Sequence, residues 1–159
     1  MKVAFTGHRD YFLADKHRLE SVIEMLYNDG FRTFMSGMAE GFDLAAAEAV
    51  LRLKCRLTDI RLECIIPFDG HSSVMNKSNT DRYNAICKQA DRVVSLATKY
   101  HPKAYFERND FLIDNADAVI CYYSGKRRSG TGYTVMRGFK KGLRTINLYA
   151  DGVQIEFFG

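Results

Sequence analysis

The sequence predicts a three-layer α/β fold, a mostly parallel sheet of about six or seven strands with helices on both faces. Three observations carry that prediction. Short apolar runs alternate with stretches of helical periodicity along the whole chain. The run at 118–123 is apolar nearly throughout, as a strand covered on both faces is. Turns rich in Gly, Ser and Thr follow the apolar runs and lead into the helical stretches.

The elements follow in order. Residues 3–5 read as a short first strand. Leu19, Val22, Ile23, Leu26 and Tyr27 recur at helical spacing and form one apolar stripe. Asn28-Asp29-Gly30 closes that helix, with Gly30 suited to a left-handed cap. Residues 31–35 are a second strand. Residues 42–57, rich in Ala and Leu, are a second helix. Residues 62–67 are a third strand, closed by Pro67. Residues 80–90 are helical and 92–96 a fourth strand. Pro102 suits the first turn of a helix running to about Asn115. Residues 118–123 are a fifth strand, 131–142 a helix ending near Gly142, and 145–149 a sixth strand. The tail at 153–158 has the composition of a short edge strand. Nothing in the chain reads as a linker, a repeat or a low-complexity segment, so residues 1–159 are expected to form one domain.

Composition narrows the function classes. The formal net charge is +4, and Lys and Arg are spread along the chain, with one knot at Lys126-Arg127-Arg128. That favours a small anionic ligand over a nucleic-acid track, which needs a clustered basic face. No apolar stretch is long enough to span a bilayer, and Thr6 to Asp10 interrupt any secretory h-region. A soluble, cytoplasmic protein with no membrane partner is expected. Cys55, Cys64, Cys87 and Cys121 are scattered without a C-x-x-C pair, so no metal site is expected. Cys64 and Cys121 lie in strand-like runs, where a reduced thiol behaves as a small hydrophobe.

In a parallel sheet covered on both faces, ligands bind beyond the carboxyl ends of the strands, where strand order reverses. The loops after the strands carry most of the residues that hold anions. The first is Thr6-Gly7-His8-Arg9. The second is SGMAEGFD, residues 36–43. The third holds Phe68 and His71. The fourth leads into Arg108-Asn109. The fifth is SGKRRSGTGY, residues 124–133. SGMAEGFD and SGTGYT each place glycines before a helix, where N–H groups and the positive helix end meet a phosphate. Neither is a Walker motif, because no G-K-[ST] follows. Neither is G-x-G-x-x-G, because position 135 is Val. Hydride chemistry with a dinucleotide is not indicated, and no cofactor is expected. Each feature also has a plain structural use: His8 as a solvated or capping residue, residues 126–128 as a solvated loop, Asp43 as a helix cap.

TGHR after the first strand, Gly37-Met38-Ala39-Glu40-Gly41-Phe42-Asp43 after the second, Arg108-Asn109, and GTGYT after the fifth occur in an order that resembles the SLOG superfamily. These are Rossmann-like proteins related to the DNA-processing protein DprA and to the LOG phosphoribohydrolases. The likeness is strongest to the small YpsA-like and YoqJ-like bacterial and phage members and spans residues 2–149. The resemblance implies a nucleotide-derived ligand such as ADP-ribose, a purine nucleotide or a phosphoribosyl compound, and a homo-oligomer, often a dimer. It implies a site lined by Thr6, Gly7, Ser36, Gly37, Gly41, Asp43, Arg108, Gly130, Thr131 and Gly132. His8, Arg9, Met38, Asn109, Ser129 and Tyr133, from the same loops, complete the expected set.

One departure matters. LOG enzymes follow their glycine motif with glutamates that work on the ribosyl bond, and here Tyr133 and Thr134 stand in that region. A carboxylate stabilises the oxocarbenium-like transition state of glycosidic cleavage. The leading expectation is therefore a nucleotide-binding protein or sensor, with Tyr133 or Phe68 stacking on a base. The alternative is an N-glycosidase or phosphoribohydrolase, in which Arg108 holds phosphate and Asp43 or Glu40 stabilises the sugar's charge. The third reading is nucleic-acid handling of the DprA kind, which the dispersed charge does not favour.

Overall fold

The computed structural model describes residues 1–11, 16–149 and 155–157. Seven strands form one sheet in the order β4-β3-β2-β1-β5-β6-β7. They are β1 (Lys2–Gly7), β2 (Thr33–Ser36), β3 (Arg61–Ile66), β4 (Arg92–Ser95), β5 (Ala118–Tyr122), β6 (Arg144–Asn147) and β7 (Ile155–Phe157). The first six are parallel, and β7 runs antiparallel to β6. The helices are α1 (Lys16–Asn28), α2 (Phe42–Leu53), α3 (Lys77–Gln89), α4 (Ala104–Asp114) and α5 (Gly130–Lys141), with a 3-10 turn at His71–Val74. This is the expected α/β, Rossmann-like architecture.

The pleat of the central strand divides the core. Val3 and Phe5 point into the cluster built with α1, α2 and α3, through Leu19, Ile23, Leu26, Val50 and Ile86. Ala4, between them, points to the opposite face, against Met35, Leu112, Ile113, Val119 and Val135. The stripe at 19–27 therefore serves packing. Gly138 of α5 leaves room for the Val119 side chain, so the helix lies close on β5.

Element boundaries differ from the sequence reading where a local hydrogen bond competes. Residue 31 is not yet strand: Phe31 N–H bonds Leu26 O, finishing the turn that Gly30 opens at φ 104°. The second helix stops at Leu53, and Leu57 closes only a following turn on Leu53 O. The third starts earlier, at Lys77, because the Asn76 side chain accepts from Asn79 N–H. Of the expected edge strand at 153–158, residues 155–157 pair with β6; residues 153, 154 and 158 lie outside the described residues. Cys64 and Cys121 are buried, Cys55 is exposed, and all four thiols are free.

The sheet order sets the place of a site. The chain steps from β1 to β2, β3 and β4 in one direction, then crosses back through α4 to place β5 on the other side of β1. The reversal lies between β1 and β5, so the loops after these strands part there and leave a crevice.

Candidate functional site

A cavity of about 280 Å³ opens at that crevice. Its lining comes from four places. Thr6, Gly7, His8 and Arg9 end β1, Ala39 and Asp43 flank the start of α2, and Tyr105, Arg108, Asn109 and Leu112 form one face of α4. Ser129, Gly130 and Thr131 start α5. A second, shallower cavity of about 380 Å³ adjoins it, lined by Asp10, Tyr122, Ser124, Lys126 and Tyr149. His8, Arg9 and Ser129 belong to both.

The α5 end is open to a ligand. Ser129 caps the helix by accepting from Gly132 N–H at 2.9 Å, while its own hydroxyl donates to Lys126 O. Gly130 and Thr131 N–H find no carbonyl among the described residues. These are the unpaired donors that every helix start presents, and here both residues line the cavity. The hydroxyls of Thr6 and Thr131 are also without a partner among the described residues.

The α2 end is more nearly closed, Asp43 N–H being the one donor of its first turn with no carbonyl partner among the described residues. Phe42 N–H bonds His8 O, and Leu44 N–H bonds Ala39 O. Ser36 donates to Asp43 O and accepts from Met38 N–H. Met38, at φ 63°, is fully buried in the core. Gly41, at φ 83°, lies against the backbone of Arg9, so a β-carbon would collide with the Arg9 carbonyl. This loop braces the end of β1 and presents little more than the Asp43 carboxyl.

Asp43 and Arg108 are buried side chains that share the cavity wall. The Arg108 side chain passes over Gly37, where a β-carbon would come within 2.7 Å of its Cδ. Its Nη1 donates to Gly37 O at 2.5 Å and its Nε to Asn109 Oδ1 at 2.8 Å. Its Nη2 makes no hydrogen bond to a described residue. No carboxylate oxygen lies within ion-pair distance of Arg108 among the described residues. Asp43 Oδ2 accepts from Ala39 N–H at 3.3 Å, and Oδ1 is buried with no partner. Burial pushes the Asp43 carboxyl up to about 6, against the pull of Arg108, the Ala39 N–H and Arg9. Burial likewise pushes the Arg108 guanidinium down, against Asp43.

His8 straps the two central strands together. Its backbone N–H bonds Tyr122 O, and its Nε2 accepts from Ser124 N–H at 2.9 Å. That bond needs a neutral ring nitrogen, and burial lowers the His8 pKa in the same direction. His71 sits behind Arg108 in a cage of Phe68, Tyr83 and Tyr105, and burial with Arg108 and Arg9 lowers it to about 4.

The cavity thus gathers Thr6, Gly7, His8, Arg9, Asp43, Arg108, Asn109, Ser129, Gly130 and Thr131 of the expected set. Ser36, Gly37, Met38, Gly41 and Gly132 stand behind the wall, as braces or as room for a neighbour. Tyr133 points elsewhere: its ring packs on Phe106 and its hydroxyl donates to Asp110. Phe68 is buried among His71, Tyr100 and Tyr105 and does not line the cavity. Ala39, within the expected second loop, and Tyr105 and Leu112 also line it and were not among the expected residues; the last two belong to α4. Their signal was present: 105, 108, 109 and 112 follow i, i+3, i+4, i+7, the face that Arg108 already marks.

Comparison with known proteins agrees with this architecture. The model of the YspA SLOG family (YpsA) matches residues 4–149. A UPF0398 protein of Macrococcus caseolyticus is 31% identical over 113 residues, covering 70% of this chain and 61% of the relative. The match thus spans less than two thirds of that relative's length. Among solved structures, DprA from Streptococcus pneumoniae superposes with a TM-score of 0.69 at 23% identity, over 96% of this chain and 51% of that one. DprA from Helicobacter pylori, described for its single-stranded DNA binding mode, gives 0.70 at 20% identity, over 97% and 67%. These two likenesses are of fold. No described helix is long and apolar enough to cross a membrane.

Proposed function

The chain belongs to the YspA SLOG family, and we propose that it binds a phosphorylated, nucleotide-derived ligand in the crevice between β1 and β5. One observation carries the reading. Two residues with unpaired N–H groups at the start of α5 line a cavity together with Asp43, one of whose oxygens is buried without a partner, and Arg108, a buried and incompletely bonded guanidinium. Buried polar groups in folded proteins are normally satisfied. Groups left open around one cavity mark a place where a ligand completes the bonding. Arg9 at the mouth and Lys126 beside it add the positive charge a phosphate needs.

Thermal denaturation in the presence of AMP, ADP, ADP-ribose and NAD tests the reading. A ligand that binds only the folded state raises the melting temperature once its concentration exceeds its dissociation constant. At a hundred-fold excess the gain is about 2.7 kcal/mol. A shift with any of them, with the ligand recovered intact, supports a binding protein or sensor. Release of free base or sugar phosphate supports the glycosidase alternative, which would rely on Asp43, the one acid lining the inner cavity among the described residues. No shift with any of the four overturns the reading.

A nucleic-acid role has one observation in its favour. Tyr100, Phe106 and Tyr133 are exposed near the starts of α4 and α5, with Lys99, Lys103, Arg127 and Arg128 in the adjoining loops and turns. Exposed rings and cations are the elements of a single-strand track. Binding to an oligo-dT strand that weakens steeply with salt supports it, and no binding at low salt removes it.

A further inference from the structure

We propose that the inner cavity receives the sugar of the ligand rather than its phosphate, with Asp43 and Arg108 together selecting a polyhydroxylated ring. This rests on the ligand reading above and adds an orientation to it.

The open hydrogen-bonding groups decide between the two halves of a sugar phosphate. On one wall, Asp43 offers a carboxylate with an oxygen that nothing satisfies. Arg108 offers Nη2, its other groups being held by Gly37 O and Asn109 Oδ1. The lining therefore includes both an acceptor and a donor. A hydroxyl donates and accepts at once, so a ring with neighbouring hydroxyls serves both. Asp43 Oδ1 is itself buried, and the carboxyl torsion of an aspartate is soft, so entry of the ring requires that torsion to turn. A phosphate dianion serves Arg108 alone and sets its charge beside the Asp43 carboxylate, where like charges are costly.

The rest of the lining agrees. Tyr105 and Leu112 supply apolar surface for the carbon face of a ring. Two further donors, Gly130 N–H and Thr131 N–H, stand at the start of α5, toward the mouth shared by the two cavities through Ser129, His8 and Arg9, where Arg9 and Lys126 outnumber Asp10. The phosphate belongs there. The charged groups felt by Asp43 are Arg108 from α4 and Arg9 from the β1 loop, with the Ala39 N–H from its own turn. His71, beyond Arg108, is held neutral.

The test compares inorganic phosphate with ribose 5-phosphate by calorimetric titration, on the whole chain and on Asp43→Asn. Ribose 5-phosphate should bind the unmodified protein on the order of tenfold tighter than phosphate, the worth of a hydrogen bond to a charged group. Asp43→Asn should remove most of that advantage and leave phosphate bound as well or better. Equal affinity for the two ligands in the unmodified protein overturns the orientation and leaves the phosphate-binding reading standing. So does a sugar advantage that survives in Asp43→Asn. Failure of both ligands to bind overturns both. If Asp43→Asn does not fold, the comparison on the unmodified protein decides by itself.

Discussion

Residues 36–43 and residues 124–131 each carry a strand into a helix through glycines, and they differ in how far their helix starts are tied to the rest of the protein. In the first loop Met38, Ala39 and Phe42 N–H are spent on Ser36 Oγ, the Asp43 carboxylate and His8 O, and Leu44 N–H, just beyond it, on Ala39 O. In the second, Ser129 satisfies one donor and two remain open to the cavity. Glycine therefore does two jobs that sequence composition does not separate. Gly41 lets a helix start be pressed against another loop, and Gly130 leaves a helix start uncovered. An anion site needs the second kind, and the first kind holds its partner loop in place.

The largest effect that would break this contrast is expected at Gly41. Gly41→Ala forces a β-carbon into the Arg9 carbonyl at a positive φ and should cost about 3 kcal/mol, read by urea denaturation. A loss below about 0.5 kcal/mol would mean that the first loop is not a rigid brace.

Next comes the pH dependence of the carboxyl that the brace presents. Folded Asp43 keeps its proton to about 6, while an unfolded aspartate releases it near 3.9. Between those values the folded state holds the extra proton, so Asp43 makes stability fall as pH rises through the window. His71 acts the other way. Its folded pKa is near 4 against about 6.5 unfolded, so its contribution is present above 6.5 and lost as pH falls toward 4. The two slopes oppose each other between about 4 and 6. Asp43→Asn should unmask the histidine: the variant should lose about 2 kcal/mol more than the unmodified protein on acidification from pH 6.5 to 4. Parallel stability curves for the two proteins would show that Asp43 does not titrate in that window.

Smaller effects sharpen the second loop. Ser129→Ala removes the cap of α5 and should cost about 1 kcal/mol. Gly130→Ala adds a β-carbon whose nearest neighbour is 3.9 Å away, so stability should change by under about 0.5 kcal/mol. The same methyl stands beside the open N–H groups, so ribose 5-phosphate affinity should fall severalfold. If affinity is unchanged in Gly130→Ala, the phosphate does not sit at the start of α5.

Much of this protein follows from the sequence by itself. Period-2 and period-3.6 apolar patterns report burial, which is the main free energy of folding, so the strands, the helices and the layered sheet were legible. The loops that line the cavity were legible too, because a parallel sheet collects its strand ends on one rim. The tertiary structure decided what each loop residue does. Asn76 and Phe31 moved element ends by single side-chain and turn bonds. Met38 went to the core, and Tyr133 found Asp110 instead of the cavity. Tyr105 lines the cavity on the same face of α4 as Arg108, which lies over Gly37. Such choices depend on which neighbour arrives from a distant part of the chain to take a hydrogen bond or fill a space, and periodicity along the sequence carries no record of that neighbour.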